Sequence, residues 1–591
     1  MCANWASTRN PTPATAGAGS LIRSCACITR VSPLTSKPPS MKITRMKTVH
    51  LLWLLLPLLA ACSKNYLDRK PSDLITEEEV FRNIENAEKF VNVIYQSLPN
   101  IYKPRSAWAL SSATDETNQA GDNSASYPDA GNFNTGSMSP ANFPMQDQWA
   151  EYFGKIRSCN LFLANYDKVP VDPNYPERRS RLRGEVLLLR AYYYFNLVIR
   201  WGELPILSEV QNPFDEPDAI YYKRAPIQEV IAVILKDLAE AETLLPVNYT
   251  SRPNNWGRAS KMIALALKGR VLLYNASPLF NPANDQSRWT VAAEACRAAL
   301  DTALNTGYTL HGNYGEIFIQ YFNREVIWSR PSPGAFGDGG IDREMNPRGA
   351  NGYGNINPLQ ELVDDYEMKN TGLPITDPAS GYNPQRPYDG RDPRFAATIL
   401  YPGAMWKGRL LDPNGADAPR SGQISTNYWP RKYQLESVNL FAGTGATDRK
   451  WVLMRTAELY LNYAEAENEA RGPGAAVYNA INAVRARAGM PDYGGGSKDA
   501  VREKIRRERR IELALEDHRF WDVRRWKIAE TIDNREVHGV TVTGSGNVTY
   551  TYPVIEKRVF SAARNYWLPV PQSEIDKVSA RNPEFKQTPG W

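Results

Sequence analysis

The sequence predicts a mostly α-helical protein, a tetratricopeptide-like helical-repeat scaffold interrupted by a loop-rich insertion that contains short β-strands. Three observations predict it. Segments with apolar residues at helical spacing recur in neighbouring pairs before residue 310 and again after residue 450. Small residues (Ala264, Ala266, Gly269, Ala276) recur beside large ones, as close helix–helix packing requires. From His311 to about Leu440 the chain turns to Gly, Pro, Asn, Asp and aromatics, with only short strand-like runs such as "EVIWS" and "AATILY".

The elements follow in order. Between Thr76 and Leu98, Val80, Ile84, Ala87, Phe90, Val91 and Ile94 fall near helical spacing, and Thr76 with Glu79 forms a capping-box pattern. A Gly/Ser/Asn-rich loop then runs from Asn100 to about Asp147, longer than a simple connector needs. Helices are expected over "QWAEYFGKIRSCNLFLANYDKV", "RRSRLRGEVLLLRAYYYFNLVIRWG", "APIQEVIAVILKDLAEAETLL", "SKMIALALKGRVLLYNA" and "WTVAAEACRAALDTAL". After the insertion, a hairpin turns at Gly472-Pro473-Gly474, and "KDAVREKIRRERRIELALEDHRFWDVRRW" reads as one strongly helical stretch. From Val540 the chain returns to short β-prone segments.

The front of the chain is read separately. The apolar run Leu51–Ala61 is too short to span a bilayer, which needs about 20 residues. It has the size of an export-signal core, and Lys42, Arg45 and Lys47 precede it. Leu59-Ala60-Ala61-Cys62 reads as a bacterial lipobox, with Cys62 the expected lipidation site. Residues 1–40 are expected to be an unstructured leader or a misassigned start, and residues 41–61 a lipoprotein signal peptide. No later hydrophobic run reaches spanning length, so the lipid would be the membrane attachment.

That division removes the basic character. The full chain carries 70 Lys and Arg against 64 Asp and Glu. Seven of the bases and none of the acids lie in residues 1–61, which leaves 63 against 64 and a net charge of −1. No nucleic-acid partner is therefore expected. Of six cysteines, only Cys159 and Cys296 lie beyond Cys62, with no metal-ligand spacing; packed thiols are the simplest reading.

Catalytic and metal motifs are missing: there is no GxSxG, HExxH or GxxxxGK[ST] pattern. His311, His518 and His538 are not paired at ligand spacing, and the Gly-rich "PSPGAFGDGG" lacks a phosphate-binding helix start. Glu508, Glu512 and Glu516 repeat at i, i+4, i+8 with arginines beside them, a pattern of ion pairing rather than of an acid with raised pKa. Aromatics in loops are abundant: Trp108 and Tyr127 in the first long loop, and Phe336, Tyr353, Tyr382, Tyr388, Trp406, Tyr428 and Trp429 in the insertion. Rigid rings beside Asn, Asp and Arg suit a sugar, whose CH-rich faces stack while its hydroxyls need hydrogen bonds.

Several strings, in order, resemble the SusD/RagB family of Bacteroidetes surface lipoproteins. These are "CSKNYLDRKPSD", "GEVLLLRAYYYFNLVIRWGELPIL", "RASKMIALALKGRVLLYNASPLFN", "NPLQELVDDYEMKN", "YDGRDPRFAATILYPG", "RTAELYLNYAEAENEA…INAVRARAGMP" and "RRERRIELALEDHRFWDVRRWK". The resemblance covers residues 62–591. It implies about four tetratricopeptide-like helix pairs supporting a loop-rich part, and a non-enzymatic role without cofactors. It also implies capture of an oligosaccharide beside a SusC-like TonB-dependent transporter, at the outer membrane and on the cell surface. The corresponding division is 62–310 for an N-terminal helical part, 311–450 for the ligand-binding insertion, and 451–591 for a C-terminal hairpin and closing segment. Trp108 is the expected aromatic of the N-terminal loop, with Tyr127 in the same loop and Asp115, Glu116 and Asn118 as hydroxyl partners. Phe336, Tyr353 and Trp406 are expected from the insertion. No metal ligand or catalytic residue is expected. A surface glycoside hydrolase and a peptide- or protein-binding helical-repeat lipoprotein are the alternatives.

Overall fold

The computed structural model describes residues 76–100, 109–119, 130–212, 221–250, 255–335, 340–442, 447–544 and 548–591. Cys62 and the signal segment lie outside them. The first helices are α1 (Glu77–Phe81) and α2 (Ile84–Ile94). α1 starts at the expected capping box: Thr76 N donates to Glu79 Oε2 at 2.8 Å and Glu79 N to Thr76 Oγ1 at 3.3 Å. Then come α3 (Asp147–Ala164), α4 (Glu177–Trp201), α5 (Ile227–Leu244), α6 (Lys261–Ala276) and α7 (Gln286–Asn305). After the insertion follow α8 (Thr456–Arg471), α9 (Ala475–Arg487), α10 (Lys498–Glu512) and α11 (Arg519–Arg525).

Four helix pairs pack along the chain: α2 with α3, α4 with α5, α6 with α7, and α8 with α9. Neighbouring pairs also touch, α3 against α4, α5 against α6 and α7 against α8. The continuous apolar core follows from this stacking, because each amphipathic pair buries its face only against the next. α4 is its centre, with buried residues on every face from Val186 to Trp201 except Arg190. Close approach rests on small residues. A Cβ on Gly184 would lie 2.9 Å from Leu245 Cγ, so a larger residue there would push α4 off the end of α5. Cys159 and Cys296 are free and buried.

The last predicted helix is divided. α10 ends at Glu512, and Leu515 (φ 61°) and Asp517 (φ 63°) take left-handed backbone before α11 begins. Helical spacing continues through this turn, but the side chains there face different partners, which the periodicity does not reveal. In the insertion, "AATILY" begins as helix (Pro393–Thr398), capped by Asp392, and only Ile399–Leu400 forms a strand.

Three strands tie the insertion to the helical body, with a fourth from the N-terminal loop. They are β1 (Thr117–Gln119), β2 (Val326–Ala335), β3 (Ile356–Pro358) and β4 (Thr447–Arg455). β2 pairs antiparallel with β4, from Val326↔Arg455 to Ala335↔Thr447, and β4 runs directly into α8. β1 pairs antiparallel with β3, with Asn118 opposite Asn357. Near the C-terminus, Thr541–Thr543 pairs with Thr549–Thr551 and Glu536–His538 with Val554–Lys557. Residues 75–591 form one compact unit. Among the described residues no helix is long and apolar enough to cross a membrane.

Candidate ligand-binding site

The β1–β3 ladder joins the two loop systems from which a ligand surface was expected. Its N-terminal member is held from below by charge. Asp115 is fully buried and accepts from Arg519 Nε at 2.9 Å, from Arg510 Nη1, and from Arg535 Nη2 at 3.1 Å. Burial alone would raise its pKa, but the three guanidiniums outweigh burial and hold the carboxyl well below the usual carboxylate range. Arg558 adds main-chain contacts, donating to the carbonyls of Thr114 and Thr117. Glu116 accepts from Leu515 N at 3.3 Å; burial, helped by Asp115, pushes its carboxyl up to about 7.

The insertion member is a tight turn ending at Tyr353. Asn346 is its pivot. It donates through Nδ2 to Asp342 O at 2.8 Å, and its Oδ1 accepts from Trp406 Nε1 at 2.8 Å. A Cβ on Gly352 would sit 1.9 Å from Asn346 O, so only glycine allows this closure. Gln423 fastens the outer side by donating to Tyr353 O at 3.2 Å and Asn355 Oδ1 at 3.3 Å. The half-buried Tyr353 ring is thus fixed by its backbone, with Arg420 Cζ 5.2 Å and Arg343 Cζ 5.6 Å from its centroid. A ring with two guanidiniums over it is an aromatic–cationic surface of the kind a polyhydroxylated ligand can meet.

The expected residues divide into three groups. Tyr353 lies at this surface. Trp108, Tyr127 and Phe336 lie outside the described residues. Asp115, Glu116, Asn118 and Trp406 face inward, which corrects their reading as ligand contacts. Trp406 is 1% exposed and packs with Leu400, Leu411 and Trp429 in a small core of the insertion. Asn118 is buried in the β1–β3 ladder. These four hold the frame on which Tyr353 sits. Sequence reading missed Arg343, Arg420 and Gln423, because nothing local marks these side chains as meeting at the Tyr353 turn.

The glutamate triplet is an ion network, as its interleaved arginines predicted, but with other partners. Glu508 receives Arg394 Nη1 at 2.5 Å and Arg485 Nη1 at 2.9 Å. Glu512 receives Arg394 at 2.8 Å, Arg455 at 2.6 Å and also Arg487. Glu516 receives Arg455 Nη2 at 2.7 Å and Lys432 Nζ at 2.6 Å. Burial would raise the Glu512 carboxyl, but Arg487, Arg455 and Arg394 drive it well below the usual range. A glycosidase acid needs the opposite shift. Two arginines close to the triplet in sequence turn elsewhere: Arg509 pairs with Asp522 and Arg519 with Asp115.

Fold and site together define a class: a tetratricopeptide-like helical body carrying a loop-rich face with a fixed aromatic–guanidinium shelf. The SusD family model matches residues 318–591, and a second model, described as starch-binding associating with outer membrane, matches residues 65–273. The chain belongs to the SusD family. It is similar to SusD-like protein P38 of Formosa agariphila, 24% identical over 82% of this chain and 91% of that one. SusD-like protein P2 of the same organism is 23% identical over 92% of this chain and 100% of its own. Among solved structures, a SusD-like protein from Bacteroides fragilis is 28% identical, covers 88% of this chain and 100% of its own, and has a TM-score of 0.75. A laminarin-binding SusD-like protein is 24% identical, covers 86% and 99%, and has a TM-score of 0.65.

Proposed function

We propose that this chain is a non-catalytic, cell-surface glycan-binding lipoprotein that captures an oligosaccharide and passes it to a SusC-like TonB-dependent transporter. The observation that carries the reading is the Tyr353 shelf, with Arg343 and Arg420 beside the ring and the β1–β3 ladder beneath it. The starch-binding description of the family matching residues 65–273, and the laminarin binding of one similar structure, support the ligand class. In this reading the lipid on Cys62 tethers the body to the outer membrane, and Trp108, Tyr127 and Phe336 are further proposed ligand contacts.

A capture protein working beside a transporter should release readily, so affinity is expected to be weaker than about 1 μM, or about −8 kcal/mol. Calorimetry of the detergent-solubilised protein against an oligosaccharide panel tests this. Saturable heat with at least one glycan, and no new reducing ends on prolonged incubation, is expected. Sustained turnover would replace the reading with a surface hydrolase, and binding only to peptides with a protein-binding scaffold.

A further inference from the structure

Inside the helical body, away from the Tyr353 shelf, lies a cavity of about 190 Å³ lined by residues of α3, α4, α6, β2 and the turn after α10. For scale, an engineered apolar cavity of about 150 Å³ accepts benzene. The space suits one six-membered ring, but its lining is polar and charged.

Two guanidiniums line it without a carboxylate hydrogen-bonded to either. Arg200, 4% exposed, donates from Nε to Gln148 Oε1 at 2.8 Å and from Nη1 to Asn196 O at 2.7 Å and Oδ1 at 3.0 Å. Among the described residues its Nη2 has no partner. Arg330 gives one hydrogen bond, to the carbonyl of Leu98. Arg200 is buried and Arg330 half-buried; Asp517 near Arg200 and Glu151 near Arg330 line the same space, but neither is hydrogen-bonded to the guanidinium, whereas many buried arginines elsewhere (Arg394, Arg455, Arg485, Arg525) meet carboxylates directly. Tyr152 and Tyr274, each 3% exposed, line the same space with hydroxyls that donate to no group among the described residues.

The wall between them is unusual in backbone as well as charge. Asp517 lines the cavity in left-handed conformation, strained for a residue other than glycine, and makes no hydrogen bond to a described residue. Burial, reinforced by Glu116, pushes its carboxyl up against the opposing pull of Arg200. Trp521 and Tyr152 supply ring faces, 4.7 and 5.6 Å from Arg200 Cζ.

We propose that this cavity is a second ligand site, built for a small hydroxylated carboxylate such as an acidic monosaccharide, whose carboxylate is bound by Arg200 and Arg330 and whose hydroxyls meet Tyr152, Tyr274 and Asp517. Planar guanidiniums match a carboxylate by paired hydrogen bonds. The site shares no residue with the Tyr353 shelf, so it stands or falls independently of the glycan reading.

Calorimetry of the full-length, detergent-solubilised protein with galacturonate, and with galactose as its neutral counterpart, tests it. Saturable galacturonate binding below about 1 mM is expected, with galactose at least tenfold weaker. Arg330→Gln should weaken galacturonate at least tenfold. Tyr152→Phe keeps the ring, and with it the packing, and should weaken binding threefold or more, which guards against an Arg variant that fails to fold. Tyr353→Ala should leave galacturonate binding unchanged. No galacturonate binding, equal binding of the two sugars, wild-type binding by Arg330→Gln, or loss of binding in Tyr353→Ala would each overturn the proposal.

Discussion

Arg519 donates through Nε to Asp115 Oδ1 at 2.9 Å, joining residues 404 positions apart and bolting the first turn of α11 to the base of the N-terminal loop. Asp115 therefore controls the seat of β1, and through the β1–β3 ladder the position of Tyr353.

Asp115→Ala leaves Arg510, Arg519 and Arg535 facing a void, and is expected to destabilise by about 3–5 kcal/mol. Urea unfolding monitored by far-ultraviolet circular dichroism measures it. Because the folded carboxyl is held below its unfolded value of about 3.9, its contribution is fully present above that pH and fades as pH falls below it. The difference between wild type and variant should therefore shrink on acidification below about pH 4.

Glu512→Ala removes the shared partner of Arg394, Arg455 and Arg487 at the end of α10. A loss of about 3–5 kcal/mol is expected, again from unpaired buried charge. Neither wild type nor this variant should release reducing sugar from a glycan panel; release by wild type that vanishes in Glu512→Ala would assign the residue to catalysis instead.

Lys450 is 1% exposed and donates only to Gln320 O, at 2.5 Å. Burial depresses its ammonium to about 7 from an ordinary 10.5. Between those values the unfolded chain holds a proton that the folded chain has lost, so stability rises with pH across the window and the burial cost is fully present below pH 7. Lys450→Met should thus stabilise the protein at pH 6–7, and the gain should dwindle toward pH 10. Denaturant midpoints across that range give the result.

Tyr353→Ala is expected to weaken glycan binding roughly tenfold, about 1.4 kcal/mol, with little change in melting temperature because the ring is half-buried. Arg420→Ala should have a smaller effect in the same direction. Trp406→Ala should instead lower stability by about 3–5 kcal/mol, since its ring fills the insertion's small core. Calorimetry and thermal melts separate the two behaviours.

Cys62→Ala should abolish palmitate labelling and release the protein from the membrane fraction, if the lipobox is used as its residues predict. Labelling that persists in the variant would refute that anchor.

Read alone, the sequence determined the helical pairs, the irregular insertion and the family. Those signals are local: helical spacing in "GEVLLLRAYYYFNLVIRW", a capping box at Thr76, and strings that keep their order. Spacing could say that Glu508, Glu512 and Glu516 would be paired, but not that the turn at Leu515 and Asp517 would break the helix and send them to Arg394, Arg455 and Arg485. Residue type made Asp115 and Trp406 look like ligand groups; only burial, a property of the assembled chain, turned them into supports. The same holds for the Tyr353 shelf and the cavity beside Arg200. Each is built from segments separated in the chain, and the direction of a side chain at such a meeting is set by packing and by pairing of buried charge, neither of which is written in neighbouring residues.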